Sequence, residues 1–159
     1  MSRRIAVLAA SVALISGVAT PAAAADPASC ASLASLHLPD TTITLAAPVA
    51  DGPLPPYCRV VGVIRPTADS QIGFETWLPL QNWNGKLLGA GNGGFAGSIQ
   101  GRTNEMPDAL RRGYATAGTD TGHQEPGGDW AIGHPEKIKD FGYRSAHEMT
   151  VTSKVRPSR

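Results

Sequence analysis

The sequence predicts an α/β fold in which antiparallel strands lead into parallel strand–loop–helix units. The first half of the chain carries short segments rich in β-branched residues, separated by prolines and turn residues. Successive strands joined by short connections tend to pair as an antiparallel meander. From a glycine-rich segment at residues 89–97 onward, strand, loop and helix alternate, which is typical of a parallel sheet.

The elements of the first half follow from alternation and turn residues. Leu33 and Leu36 share one face of a short predicted helix that Pro39 ends. Strands are predicted at residues 41–45, 57–64, 70–80 and 86–88, separated by a proline-rich loop at 48–56 and an Asn-Trp-Asn-Gly turn at 82–85.

The second half predicts two strand–loop–helix units. Residues 106–112 form a short helix with Pro107 near its first turn and Gly113 as its stop. A small-residue strand at 114–118, a polar loop at 119–133 and a helix at 144–155 follow. We expect the strand that would follow Val155 to be central in such a sheet, and its absence would leave residues 114–118 with an unpaired edge.

The first 25 residues predict a secretory signal peptide, with Arg3 and Arg4 before an apolar stretch and small residues before Asp26. Export predicts a secreted or periplasmic protein with no membrane association after cleavage. Removing Arg3 and Arg4 takes Lys and Arg from 14 to 12 against 13 acidic residues. This near-neutral balance argues against nucleic acid as a partner.

The chain has two cysteines, Cys30 and Cys58, both in the exported part. In an oxidising compartment an even count predicts one disulfide. A metal site is the rival interpretation, but two isolated thiols without a Cys-x-x-Cys pair are a poor zinc signal.

The string Gly89-x-Gly91-x-x-Gly94 matches a dinucleotide-binding fingerprint, which requires a helix to open at the third glycine. The glycines that follow, Gly97 and Gly101, argue against that helix. Such a loop has another use, because its backbone N–H groups can bind the oxyanion of acyl transfer. Gly93 and Gly94 are therefore the candidate oxyanion-hole residues, and a plain tight turn is the alternative.

The segment Thr119-Asp120-Thr121-Gly122-His123 offers a possible base, His123, with Asp120 as its orienting carboxylate. We favour a structural loop instead, in which His123 donates a hydrogen bond that holds the strand end. The histidines lack metal-ligand spacing, so no metal site is predicted. The carboxylates Glu75, Glu105 and Asp108 are interpreted as solvated charges.

Several strings, taken together and in order, resemble the tannase and feruloyl esterase family. The similarity runs from Cys30 to about Lys154. The strings are Pro-Tyr-Cys-Arg-Val-Val-Gly at 56–62, Ile-Gly-Phe-Glu-Thr-Trp-Leu-Pro at 72–79, Trp-Asn-Gly-Lys at 83–86, Gly-Asn-Gly-Gly-Phe-Ala-Gly at 91–97, Gly-Tyr-Ala at 113–115, Thr-Asp-Thr-Gly-His at 119–123 and Gly-Tyr-Arg-Ser-Ala-His at 142–147.

The resemblance implies an exported α/β hydrolase that cleaves small esters of hydroxylated aromatic acids with a Ser-His-Asp triad under a large lid. Residues 26–159 would be the N-terminal portion of its catalytic domain. The family's serine turn, lid and lid calcium have no counterpart in residues 1–159, so no cofactor is expected here. Only Gly93, Gly94 and the disulfide carry over.

No serine of the chain lies in a Gly-x-Ser-x-Gly turn, so we expect these residues alone to be inactive. A truncated or frameshifted gene would account for that pattern. The alternative is a small secreted, disulfide-stabilised binding module without catalysis. This alternative does not explain the glycine-rich segment at 89–97 or the Thr-Asp-Thr-Gly-His motif at 119–123. No pattern predicts an oligomeric state.

Overall fold

A computed structural model describes residues 27–154 of the chain. The predicted signal peptide, residues 1–25, lies outside the described residues, as does the last residue of the predicted C-terminal helix. Five strands and four α-helices are described: α1 Pro27–Ser32, β1 Thr41–Val49, β2 Tyr57–Ile64, β3 Ile72–Pro79, β4 Leu87–Gly89, α2 Glu105–Arg111, β5 Ala115–Thr119, α3 Pro135–Lys139 and α4 Ser145–Lys154.

The strands form one mixed sheet in the order β1-β2-β3-β5-β4. The first three strands make the predicted antiparallel meander, and β5 runs antiparallel to β3. Among the five described strands, only β4 and β5 are parallel to each other, with Leu88 opposite Thr116. The predicted fold class, antiparallel strands leading into a parallel unit, is confirmed.

The position of the open edge differs from the prediction. β5 lies between β3 and β4, so both of its sides are paired. Among residues 27–154, the strand with an unpaired side at this end of the sheet is β4. The prediction was wrong because α2 returns the chain between two existing strands rather than outside them.

The sheet has an apolar core on each face. Phe74 and Trp77 are three residues apart on β3 and therefore point to opposite faces. Trp77 packs with Met106 and Leu110 of α2, whereas Phe74 packs in the cluster that contains Met149 of α4. One of the longer helices therefore packs on each face of the sheet. The loops at the strand ends remain as the place where a site could form.

The predicted disulfide between Cys30 and Cys58 is present and joins α1 to β2. Both cysteines are buried in a third cluster with Val60 and Leu80. The bond therefore fixes the N-terminal helix to one face of the sheet. None of the helices within residues 27–154 is long and apolar enough to cross a membrane.

Candidate functional site at the carboxyl ends of the parallel strands

β4 and β5 are parallel, so the loops that follow them begin at the same end of the sheet, beyond the carboxyl ends of the two strands. We call residues 90–99 the glycine loop and residues 120–128 the histidine loop. The beginning of β3 lies at this same end of the sheet, since Phe74 pairs with Thr119 at the end of β5. Loops beyond the carboxyl ends of parallel strands are the usual place for a ligand in α/β sheets.

Asp120 ties the histidine loop to β3. Its Oδ1 accepts hydrogen bonds from the N–H groups of Gly73 at 2.8 Å and Gly122 at 2.9 Å. Its Oδ2 lies 3.4 Å from the Gln124 amide. The side chain is only 4 % exposed. Burial raises its pKa, although the two backbone N–H groups act in the opposite direction.

The close approach explains why position 73 is a glycine. A Cβ there would lie 2.4 Å from Asp120 Oδ2, which no other residue could tolerate without moving the carboxylate. The Thr119 hydroxyl adds a 2.8 Å hydrogen bond to the Gly73 carbonyl. Asp120 therefore holds the strand ends together, which is the role that the sequence analysis gave to His123.

His123 is buried and belongs to an aromatic cluster. It is 3 % exposed and stacks on Trp130 with ring centroids 4.1 Å apart. Phe141 lies 5.9 Å from His123 and 5.3 Å from Trp130. The ring makes no hydrogen bond to Asp120, so the two residues do not form a base–carboxylate pair.

The two ring nitrogens of His123 face different surroundings. Nδ1 lies 3.5 Å from the Thr121 hydroxyl, and Nε2 has no hydrogen-bond partner within residues 27–154. A Cβ at Gly97 would lie 3.6 Å from this Nε2, so His123 borders the glycine loop.

A π-helical turn, Asp140–Arg144, packs against the histidine loop. Asp140 is fully buried against Gly122 and accepts a 2.8 Å hydrogen bond from Arg144. Arg144 also bonds Glu136 of α3 at 2.7 Å. The sequence pattern predicted neither α3 nor this turn.

The glycine loop is fixed by Asn92. Its Nδ2 donates to the Thr119 carbonyl at the end of β5, and its Oδ1 accepts from the Gln100 N–H at 3.2 Å. The chain then turns at Gly94, where φ is +59°, and the Ala96 N–H bonds the Gly93 carbonyl at 3.2 Å. No helix opens at Gly94, so the structural context that a dinucleotide site requires is not present in the described loop.

The two candidate oxyanion residues differ in their bonding. The Gly93 N–H donates to Gln100 Oε1 at 2.9 Å. The Gly94 N–H donates no hydrogen bond within residues 27–154, and a Cβ at Gly94 would meet open space. Both glycines are exposed.

The solvated-charge interpretation is wrong for Glu75, which is 1 % exposed. Arg59 pairs with both of its oxygens at 2.6 and 3.0 Å, and Trp77 Nε1 donates at 2.6 Å. Arg102, just after the glycine loop, lies 3.5 Å away. Burial alone would raise the pKa of Glu75, but these hydrogen bonds and charges together lower it. Glu105 and Asp108 are exposed as expected.

Among the described residues, the exposed Gly94 presents an unbonded backbone N–H that can receive a negative charge. Within residues 27–154 no three His, Cys, Asp or Glu side chains cluster as metal ligands. Sequence reasoning missed Asn92, Gln100, Trp130 and Phe141. Of these four residues, only Asn92 could have been identified from the sequence, because it directly precedes the candidate oxyanion residue Gly93.

Comparison with known proteins identifies relatives of this region. A family model described as tannase and feruloyl esterase matches residues 58–156. An uncharacterized esterase of Xanthomonas campestris is 47 % identical over 152 residues, which cover 87 % of this chain and 26 % of that protein. A probable feruloyl esterase B-2 of Neosartorya fischeri is 37 % identical and covers 76 % of this chain and 22 % of its own.

A solved structure agrees with this likeness. The crystal structure of feruloyl esterase B from Aspergillus oryzae superposes with a TM-score of 0.74 at 28 % identity, covering 80 % of this chain and 28 % of that one. The chain thus spans about a quarter of the length of the relatives it matches.

Proposed function

Because the chain belongs to the tannase and feruloyl esterase family, we propose that it contributes the oxyanion side of an active site that hydrolyses esters of hydroxylated aromatic acids. Gallate and ferulate esters are the substrate class. Residues 26–159 form the first part of an α/β-hydrolase catalytic domain, and residues 1–25 direct its export.

One observation carries the proposal. The glycine loop leaves a parallel strand at the carboxyl edge of the sheet with an unbonded backbone N–H at an exposed glycine. Such an N–H stabilises the oxyanion that develops when an acyl carbonyl is attacked, and losing one donor typically costs a factor of about 10² to 10³ in rate.

The nucleophile has to come from elsewhere. An acyl-transfer site without its nucleophile retains only the oxyanion and binding contributions. Ser98 lies near the loop, but it has no strand-to-helix elbow to expose and activate its hydroxyl. We therefore expect the 159-residue protein alone to show no turnover above background.

A paired assay tests the proposal. The 159-residue protein is compared with a fusion in which residues 30–154 replace the matching segment of the Aspergillus oryzae feruloyl esterase B, with methyl ferulate and methyl gallate as substrates. The fusion should hydrolyse at least one ester, and the 159-residue protein neither. A folded but inactive fusion contradicts the proposed function. Turnover by the short protein that Ser98→Ala abolishes contradicts the assignment of the nucleophile.

A further inference from the structure

The peptide groups around Gly93 are held by one side chain. Gln100 Oε1 accepts the Gly93 N–H at 2.9 Å, and Gln100 Nε2 donates to the Gly93 carbonyl at 3.3 Å. Both polar groups of Gly93 thus bond the same amide, and the carbonyl also accepts the Ala96 N–H at 3.2 Å. A terminal amide that pairs in this way fixes orientation as well as position, because two hydrogen bonds must break together for the loop to rotate.

Gln100 is itself anchored to the sheet. Its backbone N–H bonds Asn92 Oδ1 at 3.2 Å, and Asn92 Nδ2 bonds the Thr119 carbonyl. A continuous chain of hydrogen bonds therefore runs from the end of β5 through Asn92 and Gln100 to Gly93. The glycine loop owes its shape to these side chains rather than to a helix.

Gly94 stands outside this network. Its N–H has no partner within residues 27–154, its φ of +59° turns the chain at that point, and the space beside it is open. Gly93 would have to lose its bond to Gln100 before it could bind an oxyanion, whereas Gly94 would not.

We propose that Gln100 is a positioning residue that clamps the Gly93 peptide and leaves the Gly94 N–H as the oxyanion donor of this loop. The inference rests on the proposed function, since it assigns a donor to that site. If the glycine loop were only a tight turn, the Gln100 side chain would have no effect on catalysis.

Amide hydrogen exchange of the 159-residue protein tests the clamp directly. In the unaltered protein the Gly93 amide should exchange more slowly than the Gly94 amide. Gln100→Ala should speed exchange at Gly93 about fivefold, the effect of losing one net hydrogen bond, and leave strand amides of β2 unchanged. Gln100→Glu keeps the acceptor for the Gly93 N–H but loses the donor to the Gly93 carbonyl, so its Gly93 exchange rate should lie between those of the unaltered protein and Gln100→Ala. Gln71→Ala, at an exposed glutamine directly before β3, is the matched control.

The active fusion tests the catalytic consequence. Gln100→Ala should lower kcat for methyl ferulate by about three- to tenfold with KM within about twofold, because a loosened donor loses part of the stabilisation that a complete donor gives. Unchanged exchange at Gly93, unchanged kcat, or a kcat that rises because Gln100 had blocked Gly93 would each overturn the inference. An inactive unaltered fusion would instead refute the proposed function, and the exchange result would still decide whether the clamp exists.

Discussion

Glu75 shows how one buried carboxylate joins three parts of the molecule. It lies on β3, pairs with Arg59 on β2 and approaches Arg102 behind the glycine loop. Removing one partner of a buried ion pair is costly because the remaining charge is left without compensation. Glu75 therefore links β2 and β3 to the segment that follows the glycine loop.

Glu75 should make the protein sensitive to acid. Its pKa is lowered in the folded state, so its contribution to stability is complete above the unfolded pKa, about 4.3, and is lost as pH falls through the folded pKa. Glu75→Gln should cost about 3 kcal/mol at neutral pH and flatten the loss of stability below about pH 4.3. Urea unfolding across that range measures both effects.

Glu105→Gln is the control for this prediction, because Glu105 is an exposed carboxylate on α2. It should leave both the stability at neutral pH and the acid profile nearly unchanged. If Glu75→Gln and the unaltered protein lose stability in parallel on acidification, the buried pair is not the source of the sensitivity.

At the residue scale the sequence showed which loops matter but not what each side chain does. The Thr-Asp-Thr-Gly-His motif marked the histidine loop, yet the hydrogen-bonding role falls to Asp120, and His123 stacks on Trp130. Glu75 looked like a surface charge because its partners, Arg59 and Arg102, are distant in sequence. Such pairings depend on strand register, which periodicity alone does not supply.

At the scale of elements, Gly113 ends α2 in a conformation that only glycine adopts easily. Its φ is +76°, its N–H bonds the Leu110 carbonyl at 2.9 Å, and a Cβ would lie 2.5 Å from the Asn82 carbonyl oxygen. The helix end and the turn before β4 are thus in direct contact. Gly113→Ala introduces both strain and a backbone clash.

We expect Gly113→Ala to destabilise the protein by about 3 kcal/mol, with roughly 1 kcal/mol from the positive φ and the rest from overpacking. Gly85→Ala is the matched control, since Gly85 has a φ of +81° but open space beside it. It should cost only about 1 kcal/mol. Equal losses in urea unfolding would show that the contact with Asn82 relaxes freely.

The disulfide between α1 and β2 should contribute to the stability of the protein. It closes a loop between positions 28 residues apart, which in the chain-entropy model contributes about 3.5 kcal/mol. The Cys30→Ala/Cys58→Ala double variant should lose about that much stability. The unaltered protein should lose a similar amount on reduction, whereas reductant should not affect the double variant. Reduction with no shift in the urea midpoint would show that the disulfide adds nothing to stability.

The elements themselves were largely predictable because their signals are local. The strands at 57–64 and 86–88 and the helix ended by Gly113 appear close to the predicted bounds. The insertion of β5 between β3 and β4, and the helical run through α3 and the π-helical turn, were not predicted. Insertion of a strand is decided by which strand edges remain to be paired. The π-helical turn packs Asp140 against Gly122, a tertiary contact that the local sequence does not reveal.

At the scale of the whole molecule, the two edge strands of the described sheet, β1 and β4, each have one unpaired side, and several large apolar side chains are exposed. The free side of β4 is only three residues long, and short edge strands are poor templates for pairing with another chain. Four of the exposed apolar side chains lie in the loops and helical turns that follow β4 and β5: Phe95, Ile132, Ile138 and Tyr143. Apolar surface of this kind promotes association when it is contiguous.

We therefore predict that the oxidised 159-residue protein self-associates through these apolar side chains rather than through the β4 edge. Ile132 is 75 % exposed, so Ile132→Lys should weaken association without disturbing the core. Val151→Lys, on the exposed side of α4, is the control and should behave like the unaltered protein. Sedimentation velocity at increasing protein concentration measures the effect, and added sulfate should strengthen association, because it favours apolar burial. Association that Ile132→Lys leaves intact would point instead to one of the two edge strands, β1 or β4.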